Sequence, residues 1–446
     1  MSPTSSSRIS EYLTVLKLPA FGRLWLSQLF ALTAQNGIHL VQVVLIERLT
    51  GRSLHIGLMV AAFSLPPVIF SFLSSVVIDR VSKKWIIVIS NLLRGCLAFS
   101  YIFVLKVLEG DALLVAVYAI TFLGSSIGAF FNPAVLAKLP LVVGEKRLLV
   151  ANSLFNLTVA GSQMLGLIVV APVAVKVFGL QGSFALMGTL YFLAFLLVLK
   201  LPRDPARIVH GISASSRWQQ MLSDFKEGWA FVVTHRSVLL AILQLTLVSS
   251  LLMILIVIGP GFSARVLGLA PEDAILVFTP AALGMLVAMV FLARYTRREP
   301  PVWLQAAMLV VTGMSFAIMA FISRDVSALN IPIFDLYPQR LLPVSTWVAL
   351  AALPLGFGIY SVNTLAQTVV QHDTPAELRG RVFTVQFMLA SLVGLIPTII
   401  AASLADIIGI PLFLRWLAMA CLVGGVISLY PLYLQIQQNR HKNTLE

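Results

Sequence analysis

Twelve apolar stretches follow one another along the chain, near residues 22–47, 54–78, 85–107, 112–138, 147–175, 182–200, 237–265, 272–293, 302–322, 343–371, 380–405 and 411–434. A helix needs about 20 such residues to cross a hydrocarbon core of about 30 Å. No water is available inside that core, so each span must satisfy its own backbone and is expected to be helical. Composition adds one argument: 59% of residues are hydrophobic and only 11% are charged, against roughly 25% charged in a soluble domain. The expected class is an all-α integral membrane fold of about twelve transmembrane helices.

The formal charge of +13 does not mark a nucleic-acid binder, because the basic residues sit in short clusters between apolar runs and form no continuous stripe. Their placement gives orientation instead. With the N-terminus inside, roughly 22 Lys and Arg fall on the cytoplasmic side, about 7 fall outside, and Arg94 and Arg415 lie within spans. Both termini are then cytoplasmic, in a multi-pass protein of a cell (inner or plasma) membrane. The opening MSPTSSSRISEYLTVLKLPA has no cleavage site after a short apolar core, so the first span is expected to stay as an anchor. The two cysteines, Cys96 and Cys421, lie in apolar runs and read as small core residues, with no disulfide framework or metal cluster.

The polar stretch 201–236 divides the chain into a tail (1–20), a six-helix bundle (21–200), this connector, a second bundle (237–435) and a tail (436–446). Trp218, Met221, Leu222, Phe225 and Trp229 recur at helical spacing in the connector, opposite Gln219, Lys226 and Glu227, as in a helix lying along the inner leaflet. Such a helix is a tether between bundles or a lateral gate. The halves also repeat. Pro66 and Pro280 are each followed 13 residues later by a basic segment, Asp79-Arg80-Val81-Ser82-Lys83-Lys84 and Ala293-Arg294-Tyr295-Thr296-Arg297-Arg298. Glu47-Arg48-Leu49-Thr50-Gly51 is echoed by Ala264-Arg265-Val266-Leu267-Gly268, and Asn132 by Asn363. Six helices per half is an even number, so the two repeats are parallel.

Ser75-Val-Val-Ile-Asp79-Arg80-Val-Ser-Lys83-Lys84 resembles the loop motif G-x-x-x-D-R-x-x-[RK]-[RK] of the major facilitator superfamily, with Ser75 in the glycine position. Other segments resemble the macrolide-efflux and enterobactin-exporter branch. These are Phe21-Gly-Arg23-Leu-Trp25 with Gln28, Leu49-Thr50-Gly51-Arg52-Ser53, Ser90-Asn91-Leu-Leu-Arg94, Phe131-Asn132-Pro133-Ala134, Val150-Ala151-Asn152-Ser153 and Arg379-Gly380-Arg381-Val-Phe383. The resemblance implies the major facilitator fold and a cytoplasmic gate made by Asp79, Arg80, Lys83 and Lys84 with Arg379 and Arg381. In that gate the Asp79 carboxylate would meet the positive N-terminal end of the eleventh helix. The second copy has Ala293 in place of the acid. Related efflux proteins also carry an acidic residue where this chain has Asn36, which leaves Glu47, Asp406 and His39 as candidates for a proton-coupling group.

Ionisable residues inside a bilayer cost about 2.5–3.5 kcal/mol on insertion scales and usually face a cavity or a partner. Arg94 lies near mid-membrane, where it attracts an anionic substrate group or hydrogen-bonds to a neighbouring helix. Gln28, Gln35, His39 and Gln42 fall on one face of the first helix, with Asn36 adjacent. Asn156 and Gln163 in the fifth helix, and Asn363 and Gln367 in the tenth, repeat the pattern. With Arg94 and Asn132 these residues are the candidate substrate cavity; interhelical glue is the alternative. The chain has no Walker A pattern, no zinc motif and no nucleophile elbow, and neither a cofactor nor enzyme activity is expected. The expectation is a monomeric secondary transporter working by alternating access. It exports an amphiphilic small molecule, a drug-like compound or siderophore, by proton antiport across the lipid bilayer. A lipid or lysolipid translocator, a solute uptake carrier and a non-transporting membrane regulator are the competing readings.

Overall fold

The computed structural model describes residues 14–144, 147–202, 214–295, 302–322, 344–375, 377–389 and 394–443. Among these residues the architecture is helical: α1 (Pro19–Thr50), α2 (Ser53–Arg80), α3 (Lys83–Val107), α4 (Gly110–Val143), α5 (Leu148–Met164), α6 (Ala171–Leu199), α7 (Ala214–Thr234), α8 (Arg236–Gly261), α9 (Ile275–Tyr295), α10 (Val302–Phe321), α11 (Val344–Asp373), α12 (Arg379–Met388), α13 (Gly394–Ile408) and α14 (Ile410–Asn443). Ten helical stretches among the described residues are long and apolar enough to cross a membrane. One of them, Val150–Leu199, supplies both the fifth and the sixth expected spans, because Gly179 breaks it at φ +67°. Only glycine adopts that conformation without strain. The eleventh expected span is covered by α12 and α13, with residues 390–393 outside the described residues.

Contacts divide the chain into two compact units. The first is Met1–Thr50 with Leu58–Ala214, and the second is Gly51–Gly57 with Ser215–Glu446. The internal pairings of the first unit recur in the second. In the first unit α3 packs on both α4 and α6; in the second, α10 packs on both α11 and α14. Without a hydrophobic drive between helices in lipid, such pairs depend on close approach through small residues. In the first unit α5 continues through a π-helical turn, Leu165–Val170, which crosses α1 at Gly166. A Cβ there would lie 2.5 Å from the Thr33 carbonyl oxygen and 3.0 Å from the Gly37 nitrogen. In the second unit, a Cβ on Gly284 or Gly356 would run into the carbonyl oxygen of Leu353 or Ala281, so α9 and α11 touch backbone to backbone.

Three cations close one end of the first unit. Arg23 donates to the Lys200 carbonyl at 3.1 Å, Lys84 to the Leu199 carbonyl at 2.8 Å, and Lys138 to the Pro202 carbonyl at 2.9 Å. Leu199 ends α6 and Lys200 caps it, where the carbonyls have no helical partners and carry the negative end of the dipole, and Pro202 lies just beyond. The cap explains how Lys138 can be among the most deeply buried side chains of the protein. Lys84, expected in the gate motif, is thereby engaged in holding the end of α6.

In the second unit α7 realises the expected connector helix. Phe225 and Trp229 stack with ring centroids 6.3 Å apart; the side chains of Trp218, Met221 and Leu222 lie outside the described residues. Glu227 pairs with Arg381 of α12, and a Cβ on the next residue, Gly228, would lie 2.7 Å from the Arg381 carbonyl oxygen. The first turn of α2 is tied into this unit by Asp406 near the end of α13. Its carboxylate accepts the Ser53 N–H at 2.9 Å, the Leu54 N–H at 2.9 Å and the Arg265 guanidinium at 2.8 Å. Arg265 also donates to the Ser53 hydroxyl. The acid therefore satisfies two helix N-terminal donors and an ion pair together.

Candidate functional site

A recess with about 400 Å³ of empty space, counted to its open mouth, lies inside the first unit. Its lining follows from helix periodicity. From α1 come Gln35, Ile38, His39 and Gln42, and from α3 come Arg94, Leu97, Ala98 and Tyr101. Both sets are spaced i, i+3, i+4, i+7, so each is one straight stripe of a helix face. Ile120, Thr121, Gly124 and Ser125 line it from α4, where a Cβ on Gly124 would lie 3.8 Å from the Leu97 Cδ1. Tyr191 of α6 completes it.

Arg94, 4% exposed, occupies one level of this recess near the middle of α3. Its guanidinium carbon lies 4.3 Å from the centre of the Phe131 ring and 4.7 Å from that of Tyr191, two cation–π contacts. Its hydrogen bonds go to the Ser90 carbonyl at 3.3 Å, the Gln35 Oε1 at 3.3 Å and the Asn91 Oδ1 at 3.0 Å. Asn91 donates in turn to Ser27 at 3.4 Å, and Ser27 to the Ala194 carbonyl at 3.0 Å. The Ser90-Asn91-Leu-Leu-Arg94 segment is thus a device that aims an arginine: positions i−4 and i−3 supply two acceptors from the preceding turn. All these acceptors are neutral. Among the described residues, no acidic side chain supplies the buried cation with a counter-charge.

Two helical turns away, Gln42 donates to the Tyr101 hydroxyl at 2.8 Å. That hydroxyl also meets Thr121 at 2.9 Å, and Thr121 donates to the Val117 carbonyl at 2.7 Å. Tyr101 is further fixed by stacking on Phe184, with centroids 4.2 Å apart. The Gln42 Oε1 is buried without a hydrogen-bond partner. Between the two levels, His39 stacks on Phe63 with centroids 4.2 Å apart, and Ser125 donates to the Phe63 carbonyl.

Four of the sequence candidates, Gln35, His39, Gln42 and Arg94, are therefore brought together. The others lie elsewhere. Gln28 is buried in α1 outside the recess, with its Oε1 unsatisfied, and Asn36 donates to the Leu32 carbonyl of its own helix at 2.9 Å. Asn132, Asn156 and Gln163 are exposed, while Asn363 and Gln367 are half-buried on α11 of the second unit. Of the gate residues, Arg80 is exposed and Lys83 half-buried, and Arg379 donates to the Thr374 carbonyl at 3.1 Å. The side chains of Asp79, Ala293 and Arg294 lie outside the described residues. Tyr101, Thr121, Ser125 and Tyr191 were not expected.

The family model described as Major Facilitator Superfamily matches residues 24–398. The chain belongs to that superfamily. As a major facilitator protein it is a multi-pass membrane transporter, and solved structures share its fold. The nucleoside transporter NupG superposes with a TM-score of 0.67 at 14% identity, covering 92% of this chain and 98% of that one. A mutant of the peptide transporter POT in complex with alafosfalin gives 0.64 at 13% identity, covering 95% and 97%. A POT family transporter in complex with 5-aminolevulinic acid gives 0.63 at 11% identity, covering 92% and 95%. No curated protein matches the sequence.

Proposed function

We propose that this facilitator is a secondary active exporter of amphiphilic small molecules, drug-like compounds or siderophores, that binds its substrate in the recess at Arg94. The observation that carries the reading is the arginine itself. A cation held at mid-span by neutral acceptors and two aromatic rings is a costly feature in a membrane helix unless something binds there. The apolar wall formed by Ile38, Leu97 and Ala98 suits the body of an amphiphile. Export and proton antiport follow from the resemblance to the macrolide-efflux and enterobactin-exporter branch. His39, on the recess wall, is the titratable side chain placed to couple a proton. The protein works as a monomer with both termini in the cytoplasm, and the Asp79 segment with Arg379 and Arg381 forms its cytoplasmic gate.

Energised everted membrane vesicles test this. With the protein present, a catecholate siderophore or an anionic drug-like amphiphile is expected to accumulate, and collapse of the pH gradient is expected to stop accumulation. Accumulation that survives collapse of the gradient contradicts antiport. Failure of both compounds to move beyond vesicles lacking the protein contradicts the exporter reading.

A further inference from the structure

Two features of the recess remain unused by its own packing, and together they describe a ligand. One is the positive charge of Arg94, 4% exposed, which lines the recess and has only neutral acceptors among the described residues. A buried cation without a counter-ion is stabilised most by an anion delivered to it. The other is the Oε1 of Gln42, 3% exposed, whose amide nitrogen is committed to Tyr101 while its oxygen has no partner. A buried acceptor left unsatisfied costs about 1–3 kcal/mol and gains from a donor placed against it.

The spacing between these features is set by helix geometry. Arg94 meets Gln35, and Tyr101 meets Gln42; each pair of partners lies seven residues further along α3 and α1. Seven residues of α-helix rise about 10 Å. The wall between the two levels is mainly apolar, from Ile38, Leu97 and Ala98. The acceptor at the far level is a neutral amide, and the hydroxyls beside it, Tyr101 and Thr121, are already bonded to each other. A cationic group there would have no counter-charge among the described lining residues.

We propose that the recess selects an organic anion, with a carboxylate or comparable oxyanion paired to Arg94 and a neutral hydrogen-bond donor about 10 Å away against Gln42. An apolar chain or ring joins the two. This deepens the exporter reading and rests on it only in taking the recess as the substrate site. Neutral amphiphiles and organic cations are the compounds it turns away. The charge gives discrimination because the same low-dielectric surroundings that make an unpaired arginine costly strengthen its attraction to an oxyanion.

The test is equilibrium binding to the purified full-length protein in lipid nanodiscs, using three probes of similar length. These are 10-hydroxydecanoate, which carries both groups, decanoate, which lacks the donor, and 1,10-decanediol, which lacks the charge. Binding of 10-hydroxydecanoate is expected to be at least about tenfold tighter than that of the diol, and about threefold to tenfold tighter than that of decanoate. Arg94→Gln is expected to erase the first preference, and Gln42→Leu the second alone. Arg94→Lys, which keeps the charge but not the planar fork, retains the preference for carboxylate over diol at lower affinity. It guards against a Gln variant that loses binding through misfolding. Equal affinity for diol and hydroxydecanoate, no measurable binding of hydroxydecanoate, or an unchanged preference in a folded Arg94→Gln protein each overturn the proposal. The assay needs no turnover. Charge-selective binding without gradient-driven movement would reject the exporter reading and leave this one standing, and movement indifferent to substrate charge would do the reverse.

Discussion

Arg94→Ala is expected to abolish transport while leaving the protein folded and inserted. The arginine contributes a charge, several donors and a stacked plane to the recess. Losing a charge-assisted hydrogen bond to a substrate removes about 1.5–3 kcal/mol, or roughly tenfold to a hundredfold in affinity. Stability should move little. Removing an ionised group from mid-membrane relieves an insertion cost of about 2.5–3.5 kcal/mol, which offsets the packing lost around Phe131 and Tyr191. The combination is diagnostic. A purely structural arginine would give a lower melting temperature and poorer membrane yield, with transport falling in proportion. Initial rates in vesicles, read beside thermal melts of the purified variant, separate the two cases. A folded Arg94→Ala protein with full activity would refute the role given to the residue.

Asp406→Ala is expected to release the first turn of α2 from α13. Three donors converge on that carboxylate: the N–H groups of Ser53 and Leu54 and the Arg265 side chain. The loss of a helix N-terminal cap costs about 0.5–2 kcal/mol. The ion pair, with side chains 31% and 18% exposed, adds no more than about 1 kcal/mol after solvent screening. A total of about 0.5–3 kcal/mol should lower the melting temperature. Hydrogen exchange gives the sharper readout. First-turn amides have no intrahelical acceptor, so protection at Ser53 and Leu54 reports on Asp406 itself. Their exchange should accelerate in Asp406→Ala while amides in the middle of α13 stay protected. Unchanged protection at both positions would show that the carboxylate does not hold them.

The spans were legible because the constraint on them is blunt: a membrane crossing demands a long apolar run, and no alternative structure satisfies the backbone there. The repeat was legible from matched prolines and basic loops, and a repeated packing pattern appears in the pairing of α3 with α4 and α6 and of α10 with α11 and α14. Arg94 and the α1 stripe stood out for the same reason, since polar groups are conspicuous against lipid-facing sequence. Tyr101, Thr121, Ser125 and Tyr191 did not. An aromatic or a small hydroxyl inside an apolar helix reads as packing, and only the three-helix geometry shows the Tyr101 hydroxyl bridging Gln42 and Thr121. Other polar candidates failed for a complementary reason. Helical spacing places residues on a common face without saying what that face meets, so Asn36 turned out to bond its own helix and Asn156 to be exposed. Asp406, expected near the outer end of its helix as a proton-coupling candidate, is committed to a helix cap that joins residues more than 350 positions apart in the chain. No local pattern announces such a contact.

The central claim is that substrate occupies the recess between α1, α3 and α4. Site-directed alkylation tests it most directly, with Cys96 and Cys421 replaced by serine and a single cysteine placed at Ser125 on the recess wall. A second protein carries the cysteine at Leu157, which is exposed and outside the recess. Saturating transported compound, be it siderophore, anionic amphiphile or 10-hydroxydecanoate, is predicted to slow maleimide labelling at position 125 several-fold and to leave position 157 unaffected. Equal labelling at position 125 with and without that compound would contradict the account.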